Sequence, residues 1–88
     1  MIPDSIKIGG LIYIINQIEM GDEGEANHIP CVININKNLA ESKKLMVLNH
    51  ETFEIISEEY QLNLKHPKIM TLSFAWHQVY KDNPGVFE

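Results

Sequence analysis

The chemistry in this chain concentrates in His50-Glu51-Thr52-Phe53-Glu54. His50 and Glu54 stand four residues apart, a spacing that stacks two side chains on one face of an α-helix. Two ligands so placed can close on a single divalent ion, which is why His-Glu-x-x-His works on a helix. A carboxylate oxygen reaches zinc at nearly the same distance as an imidazole nitrogen, so Glu54 in the place of a second histidine keeps that geometry. Glu51 follows His50 and projects to the side of the same site. A carboxylate there can take a proton from water polarised by the metal, producing a nucleophile for a carbonyl.

Two ligands make an incomplete site. Glu58 lies two turns beyond His50, roughly 12 Å along the axis, which is too far. His66 is within reach: the helix climbs about 9 Å from Glu54 to Tyr60, and Gln61 to Lys65 span roughly 16 Å if extended, enough to return to the level of Glu54. The set His50, Glu54 and His66 offers two imidazoles and one carboxylate and leaves a fourth position open, as catalytic zinc requires. Plainer readings stand beside this one. His50 and Glu54 can form an ordinary exposed helix pair, Glu51 can be a solvated surface residue, and His66 can cap a second helix. His77, roughly 16 Å from His66 along that helix, belongs to the surface or core edge. His28, in a loop before Pro30, reads as solvated, and Cys31 as a small buried hydrophobe.

The elements that must position these residues follow from periodicity. Ser5 to Ile8 and Leu11 to Gln17 are apolar and β-branched, and the Gly9-Gly10 pair between them predicts a hairpin. Met20 to Asn27 is acidic and glycine-containing and reads as a solvated loop. Cys31 to Asn36 alternates like a half-buried strand, with Pro30 just before it. Three such strands with short connections predict an antiparallel meander. From Leu39 to about Tyr60 the apolar residues Leu45, Leu48, Phe53, Ile56 and Tyr60 repeat near 3.6, with Asn38 as N-cap and Glu41 in capping-box position. A second helix opens at His66-Pro67, buries Ile69, Leu72, Trp76, Val79 and Tyr80, and ends at Asn83-Pro84-Gly85. Phe53, Trp76 and Tyr80 are core or interface residues on this pattern. The expectation is an α+β chain: a three-stranded antiparallel sheet followed by two antiparallel helices, βββαα, in one domain over residues 1–88.

Composition narrows the function. The 88 residues carry a net charge of −5 with only seven Lys and Arg, so no basic footprint for nucleic acid exists. An apolar fraction of 44% with 22% charged residues is that of an ordinary globular protein. Cys31 is the only cysteine, so no internal disulfide points to an oxidising compartment. The N-terminus lacks a signal-peptide pattern, and the apolar run Leu11 to Ile15 is far too short to span a membrane. A cytoplasmic location is expected.

Over nearly its whole length the chain resembles the small phage- and prophage-encoded proteins related to the ImmA/IrrE-like metallopeptidases. The resemblance rests on Ile6-Lys7-Ile8-Gly9-Gly10, on His50-Glu51-Thr52-Phe53-Glu54, and on His77-Gln78-Val79-Tyr80-Lys81-Asp82-Asn83. It implies a minimal zincin fold, a zinc ion and hydrolysis of a peptide bond. In the larger relatives the substrate is a phage or mobile-element repressor. The departure is Glu54, where the family's motif has histidine. His66 stands where an acidic third ligand is expected, so the ligand set is kept with two positions exchanged. Two other functions compete: a catalytically inactive, metal-stabilised module that docks on a partner protein, and a metal-free scaffold.

Overall fold

Two glycines open the structure. In this computed structural model, which describes residues 2–87, Gly9 and Gly10 have φ of 57° and 83°. Positive φ at both central residues is a type I′ turn, whose twist matches that of paired strands. The turn closes strand β1 (Ser5–Ile8) on β2 (Leu11–Ile18), with Ile8 opposite Leu11. The chain continues through β3 (Gly24–Asn27), β4 (Val32–Asn36), helix α1 (Glu41–Glu59) and helix α2 (His66–Asp82).

The α+β class agrees with the sequence, but the sheet does not. It has four strands in the order β1-β2-β4-β3, with β4 parallel to β2 and β3 antiparallel to β4. A parallel partner needs a crossover of about a dozen residues, and Glu19 to Cys31 supplies it. The segment expected to be a solvated loop is therefore half strand. β3 lies on the outside of the sheet, and the returning chain fills the gap between β3 and β2.

Tyr13, Ile33, Ile35 and Ile55 are completely buried, and Ile2, Ile8, Ile15, Val47 and Leu48 complete the same core. Every strand contribution to that core comes from one sheet face, while Ile12 and Ile14 of β2 remain exposed on the other. Helix α1 covers the inner face. Its core stripe is Lys44, Val47, Leu48 and Ile55, and Lys44 is accommodated because its Nζ donates to Gln17 Oε1 at 2.7 Å.

Helix α2 packs on α1 and, among the described residues, on no strand. The two helices run antiparallel: Glu54 meets His66, whereas the earlier Asn49 meets the later His77. Resting on one helix alone, α2 buries far less than its composition suggests. Of the five residues expected to be buried, only Ile69 is, and Trp76 is partly covered; Leu72, Val79 and Tyr80 are exposed. The N-terminus of α1 also differs from expectation. Its N-cap is Ala40, without a side-chain bond, because the Asn38 amide reaches instead to Glu19 Oε2 at 2.9 Å. No helix among the described residues is long and apolar enough to cross a membrane.

Sheet and helix approach each other closely at Gly24 of β3. A Cβ there would collide with Val47 Cγ1 and lie 3.2 Å from the Asn34 carbonyl oxygen. Val47 is buried in the core and cannot swing away freely. Gly24→Ala should therefore cost about 1–3 kcal/mol of stability, the usual penalty for overpacking. Urea unfolding measures this, and an unchanged midpoint would show that β3 and α1 are not packed this tightly.

Candidate metal centre

Helix α1 presents two adjacent stripes. Val47, Glu51 and Ile55 follow one another at four-residue steps, and so do Met46, His50 and Glu54. The second stripe is one residue earlier, about 100° round the axis. The first faces the sheet, and the second faces α2.

The third ligand arrives through a tightly built linker. The last turn of α1 ends in a Schellman motif: the Leu62 N–H donates to the Ser57 carbonyl at 2.8 Å and the Gln61 N–H to that of Glu58 at 3.2 Å. Gln61 takes the left-handed conformation usually given to glycine, with φ of 55°. Ser57, buried on α1, also receives the Leu64 N–H on its Oγ at 3.0 Å. The chain is thus fixed until Lys65, the N-cap of α2, and His66 becomes its first residue. His66 does not serve as the N-cap.

His50, Glu54 and His66 come together. One ligand atom from each lies within 4.8 Å of the others. His50 Nε2 is 4.0 Å from Glu54 Oε1, and His66 Nδ1 is 3.9 Å from the same oxygen. The imidazole rings meet edge to face with centroids 4.9 Å apart. Ligands about 2.0–2.1 Å from a tetrahedral zinc lie about 3.3 Å from one another. Closing this set on an ion therefore takes shifts on the order of 1 Å, which side-chain torsions supply. The donor set, two nitrogens and one carboxylate oxygen, suits zinc. The side chains are graded in exposure, 18% for His50, 37% for Glu54 and 61% for His66, so the site opens on the His66 side. Burial, aided by the adjacent His66, lowers the pKa of His50, against the opposing pull of Glu54 and Glu23. The neutral imidazole this favours is the form that binds metal.

His50 and His66 border a cleft of about 320 Å³ between the β2–β3 connection, α1 and α2. Glu51 lines it as well, with Oε2 directed at Gly24. Among the described residues no hydrogen bond or ion pair holds this carboxylate. Its place on the core stripe explains its chemistry: burial first, then the charges of Glu54 and Glu25, push its pKa up to about 7. A solvated surface glutamate would not behave so. An acid on a core stripe carries a cost that an apolar residue there would not.

The remaining candidates lie elsewhere. Glu58 accepts an ion pair from His28 Nε2 at 3.0 Å, and the Tyr13 hydroxyl is 3.2 Å from His28 Nδ1. His28, expected to be solvated, instead bridges sheet and helix. Cys31 is half-buried against the core, its Sγ donating to the His28 carbonyl at 3.4 Å. His77 sits 3.5 Å from Asn49, at the far part of the helix pair. Sequence reasoning missed the β3 side of the cleft, Asp22 to Gly24. The available signal was the pairing of small Gly24 and Ala26 on one face with polar Glu25 and Asn27 on the other.

The raised Glu51 pKa sets a pH dependence for the metal-free protein. The folded state holds a proton up to about pH 7 that the unfolded chain releases near 4.5, so stability falls as pH rises between those values. With chelator present, Glu51→Gln should gain roughly 1–2 kcal/mol over wild type at pH 8, after allowance for partial exposure, and almost nothing at pH 4.5. Denaturant unfolding at the two pH values measures it, and a variant less stable than wild type at pH 8 would contradict the buried-acid account.

Comparison with protein families, curated proteins and solved structures finds no match for this chain, so its function has to be argued from the centre itself.

Proposed function

We propose that the chain binds one zinc ion through His50, Glu54 and His66 and hydrolyses a peptide bond in an extended segment lying in the adjoining cleft. One observation carries this reading: three ligand atoms from two helices lie within 4.8 Å of one another, beside a cleft that Glu51 also lines. Zinc, when bound, supplies a Lewis acid that polarises a carbonyl and acidifies water. The chain's own residues do the rest. His50 and His66 donate neutral nitrogens, and Glu54 contributes the negative charge that offsets part of the ion's. Glu51 accepts the proton of the attacking water at a carboxylate oxygen and passes it to the departing amine nitrogen.

The peptide character of the substrate is supported by β3. The Asn36 N–H to Glu23 carbonyl bond of 2.9 Å fixes the hydrogen-bonding phase of the β3–β4 pair. By the alternation of an antiparallel ladder, the backbone groups of Gly24 and Ala26 then point away from β4. Gly24 lines the cleft, and an extended chain pairs with the open donors and acceptors of such an edge.

A second reading is favoured by the way α2 is held. Helix α2 rests on α1 alone and leaves Leu72, Phe74 and Val79 exposed. A metal joining its first residue to α1 would add a tie to that one packed face, and the same ion would serve a docking module that performs no chemistry.

Three measurements separate these readings from each other and from a metal-free scaffold. Untagged protein should hold about one zinc per chain by elemental analysis, and His50→Ala and His66→Ala should each lose it. Absence of zinc in the wild type, with no uptake on titration, removes both metal readings. Hydrogen exchange should show chelator accelerating the amides of α2 while those of β2 and β4 stay protected. On a mixture of internally quenched peptides, Glu51→Gln should retain zinc and lose about 10²–10⁴ in rate. Full activity in that variant would rule out Glu51 as the base, and an inactive wild type would leave the docking module.

A further inference from the structure

The two walls of the cleft differ in chemistry. On the helical wall stand Met46 of α1 and Met70 and Phe74 of α2. Met70 and Phe74 are one turn apart and remain 42% and 47% exposed, so the wall is apolar and uncovered. Methionine is unbranched and soft, so this wall can mould itself to leucine, methionine or phenylalanine alike. On the opposite wall stand Asp22 and Glu23. Among the described residues, the one Lys or Arg lining the cleft, Lys43, already faces Glu23 at 3.5 Å. The Asp22 carboxylate has no cationic partner among the described residues. The whole chain carries a charge of −5. On this wall a ligand with negative charge is repelled, and a positive one finds Asp22 free.

We propose that the cleft selects an extended peptide carrying a large apolar residue directly next to a lysine or arginine. The proposal rests on reading the cleft as a peptide site and adds to it the identity of the preferred side chains. Neighbouring residues of an extended chain are about 3.3 Å apart and point to opposite sides, so adjacent side chains can face opposite walls of a cleft of about 320 Å³. The apolar side chain covers Met46, Met70 and Phe74, and the cation meets Asp22 and Glu23. Discrimination among leucine, methionine and phenylalanine is weak, whereas discrimination against an acidic neighbour is strong and falls with added salt.

The test is fluorescence anisotropy with the zinc-loaded full chain carrying Glu51→Gln, which should bind without appreciable cleavage, and three labelled decapeptides on a common Thr/Gln background. One peptide carries Lys-Leu at its centre, one Glu-Leu and one Lys-Ser. The Lys-Leu peptide should bind about tenfold more tightly than either of the others, a difference of about 1.4 kcal/mol. Asp22→Lys combined with Glu23→Lys should abolish or invert the preference for lysine over glutamate. Phe74→Ser should erase the preference for leucine over serine. All three positions are exposed, so circular dichroism should be unchanged. Equal affinity for the three peptides, with one zinc per chain measured on the same sample, would overturn the preference and leave the metal-dependent peptide site standing. No binding of any peptide to zinc-loaded protein would overturn the preference and the peptide reading together.

Discussion

The structure depends on one helix that is packed on two sides. The Val47–Glu51–Ile55 stripe of α1 closes the only covered face of the sheet, and the Met46–His50–Glu54 stripe, about 100° away, meets α2. Neither layer reaches the other without α1, since α2 touches no strand among the described residues. That arrangement explains why α1 carries apolar residues around much of its circumference rather than on a single narrow face. It also places the candidate ligands where a second helix can supply a third. A site at the junction of two packed helices is held by both, and its geometry inherits their rigidity.

Glu51 shows the tension this creates. Its stripe is the one the sheet needs for apolar contact, and a carboxylate there is destabilised as an ion. Stability alone would place a leucine or isoleucine at this position. A chain of 88 residues has little core from which to absorb such a cost. The same feature is an asset for proton transfer, because a base that titrates near neutrality accepts and returns a proton with similar ease. The linker shows a smaller version of the trade. Gln61 takes a backbone conformation that glycine adopts more cheaply, and the compensation is a fixed path that delivers His66 to Glu54.

Much of the site was legible in the sequence because it is written in local spacing. Four-residue separation on a helix brings His50 and Glu54 together whatever surrounds them, and chain length alone limits where His66 can go. The Gly9-Gly10 hairpin is legible for the same reason. What stayed hidden is decided by contacts between distant segments. Gly24-Glu25-Ala26-Asn27 has poor strand propensity, and it becomes a strand because β4 and α1 are there to pair and pack with it. The parallel union of β2 and β4 leaves no local mark, since it follows from β3 taking the outer place. Helix α2 misleads in the opposite direction: Leu72 and Val79 lie at core-like spacing, yet a helix resting on a single neighbour has no second surface to bury them. Asn38 is a good N-cap residue by type, but its side chain is drawn to Glu19.

The most direct test of the central claim is X-ray absorption at the zinc edge on the metal-loaded protein, paired with an anomalous-scattering map from crystals. The account predicts a first shell of nitrogen and oxygen at about 2.0–2.1 Å, two imidazole signatures and no sulfur, with the anomalous peak between His50, Glu54 and His66. A peak at His28 and Glu58, or a shell containing the sulfur of Cys31, would contradict it.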